Sequence, residues 1–165
     1  MPEAPKLTQL QIRVSEDEKS AIRAAAERAG MDMSAYVLSR ALSMPEREFQ
    51  ESIAALAGPH APSFALAEIN SLLSGLTAAE LREATSSAPA AELSPFLANY
   101  VAAMVEIACA RRGLRVPAWV RAIPPLASPA FGSTLRRLRV HLLTHSPAAF
   151  RRRNIFIDAS LGSRV

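Results

Sequence analysis

The chain has 165 residues, 50% of them apolar but only 5% aromatic, and a formal net charge of +4; that length suits one small domain or two very small ones. The longest nearly apolar run, Phe96 to Ala110, is broken by Asn99 and Glu106 and falls short of the ~20 residues a membrane-spanning helix needs. The amino terminus lacks a basic stretch followed by an apolar block, so no membrane anchor or secretory leader is expected and the location is cytoplasmic.

The predicted elements begin with an alternating segment, Thr8, Leu10, Ile12 and Val14 on one side and Gln9, Gln11 and Arg13 on the other, the period of a half-buried strand. Ser15-Glu16-Asp17-Glu18 is a capping box for a helix running to about Ala29, with Ile22, Ala25, Ala26 and Ala29 at core spacing and Gly30 as its stop. Asp32 caps a second helix from Met33 to about Ser43, with Tyr36, Val37, Leu38, Ala41 and Leu42 as its apolar set. Pro45 ends that unit or opens the next helix.

Beyond Pro45 the pattern is helical and alanine-rich. It predicts helices at 45–57, 63–73, 77–84, 94–112, 117–122 and 134–145, and a last turn opening at Ser146-Pro147. Asn154 to Asp158 is the other strand candidate, and Cys109 and Trp119 read as packing residues. A lone cysteine forms no internal disulfide, and with His60, His141 and His145 it makes no zinc-ligand spacing. The six glycines form neither GxGxxG nor GxxxxGK. No metal or cofactor is expected, and nucleotide-binding enzymes of the usual kinds are disfavoured.

Charge is unevenly distributed. Residues 1–44 balance six basic against six acidic side chains, residues 45–110 carry two against eight, and residues 111–165 carry eleven arginines against one acid. Arginine's planar fork favours phosphate and carboxylate. The last third therefore calls for an anionic partner, which is either the acidic middle of the same chain or an external molecule.

A strand at 8–14 needs a hydrogen-bonding mate. Two are available: the 154–158 strand, or the same segment of a second copy about a two-fold axis. Two such segments side by side would carry two sets of Gln9, Gln11 and Arg13 on one surface. A two-stranded ribbon fits the DNA major groove, where Gln matches adenine and Arg matches guanine.

LTQLQIRVSEDEKSAIRAAAERAGMDMSAYVLSRAL resembles a ribbon-helix-helix DNA-binding module of the Arc, MetJ and CopG type over about residues 6–44. The likeness lies in the order of polar-out strand, Ser-capped helix, turn glycine and a second helix opening Asp-x-Ser. It implies base reading by Gln9, Gln11 and Arg13, a phosphate site at the start of the second helix (Asp32, Met33 and Ser34), and a homodimer on a two-fold symmetric operator. The expected architecture is a mainly α protein: a ribbon-helix-helix module at 1–44, with one strand and two helices, and an all-helical partner-binding domain at 45–165.

Modules of this family are commonly fused to toxin-binding segments. The resemblance thus implies a non-enzymatic repressor of its own operon, the antitoxin of a toxin-antitoxin pair, with a protein toxin as partner. In SPAAFRRRNIFID, Phe150, Arg151, Arg152 and Arg153 are the candidates for binding that partner or nucleic acid. Two other readings stand beside it. One is an accessory DNA-binding protein of plasmid transfer or copy control. The other is a ribonuclease, because Arg136-x4-His141 and Arg139-x5-His145 are similar to the motif of helical HEPN nucleases, although Arg137 and Leu138 depart from the polar or acidic residues favoured after the lead arginine.

Overall fold

The chain divides into two units, Met1–Leu42 and Ser43–Val165; the computed structural model describes residues 11–41, 44–58, 62–133 and 135–158. In the first unit α1 (Glu16–Arg28) starts on the predicted capping box: Ser15 Oγ accepts from the Glu18 N–H at 3.2 Å, and Glu18 Oε2 accepts from the Ser15 N–H at 2.8 Å. The helix stops at Gly30, whose φ of 66° lies in the left-handed region. There the Met31 N–H returns to the Ala26 carbonyl and the Gly30 N–H to that of Glu27, satisfying carbonyls that the helix end would orphan. Helix α2 (Met33–Ala41) follows. Among the described residues of this unit only Ala26 is buried, whereas Ile12 is 59% exposed and Val14, Met31 and Met33 are also open to solvent.

Of the ribbon expected at residues 8–14, the described part, residues 11–14, forms no strand. Residues 11–14 are exposed and carry no ladder, and residues 8–10 lie outside the described residues. The physical reason is that a strand exists only with a partner for its N–H and C=O groups. The 154–158 segment has a partner within its own unit. Its strand β2 (Ile155–Phe156) pairs in parallel with β1 (Ala130–Phe131), in register Ala130↔Ile155 and Phe131↔Phe156. The second unit is therefore not all-helical, which corrects the expectation for 45–165.

That second unit is built on α3 (Met44–Leu56) and α4 (Pro62–Gly75), which pack Phe49, Ile53 and Leu56 against Ala65, Ile69 and Leu73 at helical spacing. Helix α5 (Ala78–Ala84) starts on a Thr77–Glu80 capping box. Helix α6 (Pro95–Arg111) buries five successive residues, Val101 to Val105, and so is enclosed on all sides as the axis of the unit. Helix α7 (Ala118–Ala122), α8 (Arg139–His145) and α9 (Ala148–Arg151) complete the chain order around β1 and β2. The helix expected over 134–145 is split, with a 3-10 turn at Arg136–Leu138 before α8.

Side-chain bonds tie the loops down. Gln50 donates to the Ala88 carbonyl at 3.1 Å and accepts from the Ala90 N–H at 2.9 Å. The Trp119 indole N–H reaches the Thr85 carbonyl at 2.9 Å. At the carboxy-terminal side Asn154 adopts φ 60° and its amide donates to Leu126 O at 2.7 Å, while Ser146 Oγ donates to Ile157 O at 2.7 Å. Cys109 is buried, and that burial pushes its thiol pKa up, which keeps it in the unreactive protonated form. No helix among the described residues is long and apolar enough to cross a membrane.

Candidate nucleic-acid interface

The interface candidates fall on both units. In the first, Gln11 and Arg13 are exposed on the segment leading into α1, and Gln9 lies outside the described residues. The Ser15–Glu18 box fixes where that segment ends and the helix begins. Bonds from Ser15 hold the Glu18 carboxyl below its ordinary pKa, so the box stays closed at neutral pH.

Gly30 and Asp32 set the direction of α2. A Cβ at Gly30 would meet nothing within 4 Å, so a substitution there is penalised only through the backbone. Gly30→Ala should lower stability by about 1 kcal/mol, read as a shift of the urea midpoint with unchanged slope. Asp32, Met33 and Ser34 are all exposed at the start of α2. The first turn is not an open row of donors, however. Asp32 Oδ1 accepts from the Ser34 N–H at 2.9 Å and from the Ala35 N–H at 3.0 Å, and the Asp32 carbonyl takes the Tyr36 N–H at 2.9 Å. A phosphate arriving there would meet the Met33 N–H and the helix dipole beside a carboxylate.

The second unit separates Phe150, Arg151, Arg152 and Arg153 into different environments. Phe150 is buried and packs edge-on against Tyr100, with ring centroids 4.8 Å apart. Arg153 is also buried. It donates to Val120 O at 2.8 Å and to Asn99 Oδ1 at 3.3 Å, with Glu106 Oε2 at 3.8 Å. Burial pulls its guanidinium pKa down and the Glu106 carboxylate opposes that shift. Arg152 pairs with the same carboxylate from the exposed side, and Arg151 is open to solvent. Of the four candidates for partner or nucleic-acid binding, Phe150 and Arg153 are thus buried, and Arg151 and Arg152 are at the surface. Packing accounts for Phe150, and Arg153 is bonded through its two Nη atoms while its Nε is buried without a hydrogen-bond partner.

The nuclease-like residues lie on the 3-10 turn and α8. Arg136 is exposed. His141 Nε2 is 3.4 Å from Asp158 Oδ2, and its ring stacks on His145 with centroids 4.0 Å apart. His145 Nδ1 lies 3.0 Å from the His141 carbonyl oxygen and 2.8 Å from Thr144 Oγ1. Among the described residues no group of three or more His, Cys, Asp or Glu could hold a metal ion.

Glu106 is the residue that sequence reading passed over. Its signal was present: Asn99 and Glu106 interrupt the apolar run seven positions apart, two turns along one face of α6, and both turn out to receive Arg153.

Residues 4–53 match the family model of a NikA-like mobilization protein. The match covers less than a third of the chain and takes in α1, α2 and most of α3. It also overlaps the stretch that resembles a ribbon-helix-helix module. No curated protein and no solved structure is significantly similar to the chain.

Proposed function

We propose that the amino-terminal unit binds double-stranded DNA as a homodimer and that the chain is a DNA-binding accessory protein of plasmid mobilization. The observation that carries this reading is the match of residues 4–53 to a mobilization-protein family. The two capped helices joined at Gly30, and the exposed Gln11 and Arg13, are consistent with it. So is the thin core among the unit's described residues: a second copy would cover Ile12 and Val14 and complete the ladder that residues 11–14 lack. Gln9, Gln11 and Arg13 then read base edges in the major groove, and the α2 start meets phosphate. No residue is assigned a catalytic role.

Operon repression and toxin neutralisation, which the ribbon-helix-helix resemblance by itself favours, draw no support from a match that names mobilization. The mobilization reading therefore ranks first. Two measurements test it. Disrupting the gene should abolish transfer of a mobilizable plasmid that carries it, while co-expression with neighbouring reading frames should reveal no toxicity that the protein relieves; the reverse pair of results returns the antitoxin reading. On the duplex it protects in footprinting, Arg13→Ala should lose about 1–3 kcal/mol and relax one base position per half-site. Unchanged affinity and unchanged sequence preference would show that Arg13 reads no base.

A further inference from the structure

The proposed duplex reader is electrically neutral, with six basic and six acidic side chains in residues 1–42. Duplex DNA is held largely by cations that release its counterions, about 0.9 per phosphate neutralised. A neutral reader leaves much of that attraction to be supplied from elsewhere in the chain. Residues 111–165 hold the surplus, and the structure shows which part of it is available.

Arg153 is buried, Arg152 faces Glu106, and Arg112 donates to the carbonyls of Ala108 and Ser74 at 3.2 and 2.8 Å. Arg111, Arg115, Arg121 and Arg151 are exposed as well but scattered along the sequence, whereas Arg136, Arg137 and Arg139 are clustered. These last three sit within four consecutive residues, all are exposed, and none has an ion pair among the described residues. From residue 112 to residue 157 the sequence contains no acidic side chain, and the first one, Asp158, is placed against His141. Arg139 lies 5.1 Å above the Phe131 ring, which itself stacks on Phe156, so the guanidinium has a rigid support at the β1–β2 pair.

We propose that the 3-10 turn and the start of α8 form a second, sequence-independent DNA contact, in which Arg136, Arg137 and Arg139 meet phosphates of the duplex read by the amino-terminal unit. This rests on the DNA-binding reading above. Leu135, Leu138, Val140 and Leu143 are exposed in the same segment, which raises a protein partner as the competing occupant. The core of a protein interface is depleted of charged residues, whereas three arginines lie among these side chains in sequence. Three clustered guanidinium groups would also have to be desolvated against matching carboxylates. Phosphate contacts ask less, because they remain wet.

The test uses the full chain and two short duplexes, one of arbitrary sequence and one from the DNA flanking its own gene, with affinity followed across a salt series. Arg136→Gln, Arg137→Gln and Arg139→Gln together should lower the slope of log K against log salt by about 2–3 and weaken both duplexes by the same factor, about 10- to 100-fold at low salt. The corresponding triple change to lysine should keep the slope, since counterion release follows charge. Because Arg139 packs on Phe131, the Arg136→Gln, Arg137→Gln pair is measured alongside, with a slope change of about 2 expected. An unchanged slope in folded variants overturns the proposal and leaves the amino-terminal reader standing. Loss of an acidic protein that had co-purified, with the DNA slope intact, overturns it in favour of a protein partner. A wild-type chain that binds neither duplex overturns the DNA-binding reading itself, and this contact with it.

Discussion

Arg153→Ala should destabilise the second unit by about 3–5 kcal/mol in urea unfolding, the range for removing one partner from a buried charged cluster. The loss strands the Val120 carbonyl and Asn99 Oδ1, which are bonded to Arg153 at 2.8 and 3.3 Å. It also removes the inner counter-charge of Glu106. Arg152→Ala is the internal comparison. Its side chain is 66% exposed although it pairs with the same Glu106, so solvent screening limits its contribution to under about 1 kcal/mol. Two arginines adjacent in sequence are thus expected to differ several-fold in effect because one is inside and the other outside. Equal, small losses for both would mean that Arg153 does not hold the interior together, and would reopen its role at a surface.

Ile12→Pro should abolish both dimerisation and DNA binding, measured by sedimentation and by mobility shift. Proline removes a backbone donor and fixes φ near −65°, so a strand interior that depends on its partner's ladder loses a bond in each copy. The described part of the segment has nothing else to rely on: residues 11–14 are exposed and make no ladder within the chain. Loss of stability in the second unit is not expected, since residue 12 belongs to Met1–Leu42 and the main core lies in Ser43–Val165. A variant that remains dimeric and binds DNA normally would remove the ribbon from the proposed mechanism.

Local chemistry made most helices legible. Both Ser15-x-x-Glu18 and Thr77-x-x-Glu80 closed as capping boxes, and Asp32 capped α2, because each cap needs only residues within one turn. The apolar spacing of Phe49, Ile53 and Leu56 and the long apolar run at 96–110 likewise announced α3 and the axial α6. What failed was whatever needed a distant mate. The pairing of Ile155–Phe156 with Ala130–Phe131 joins segments that nothing local connects. Gly132 belongs to the same junction, where a Cβ would come within 3.1 Å of Ile157 Cγ2.

The arginine-rich third shows the same division. Composition alone determined that residues 111–165 are strongly cationic and that the unit at 1–42 is neutral overall, because counting charges needs no coordinates. Only the tertiary structure decided which of those cations are available. Arg153 is drawn inward by Asn99 and Glu106 on α6, whereas Arg136, Arg137 and Arg139 stay exposed on a short element whose buried contact is Leu142. The physical reason is that a charged side chain enters a core only where partners from other elements satisfy it, and such partners, 47 to 54 positions away along the chain in this case, leave no mark on the residues immediately around it.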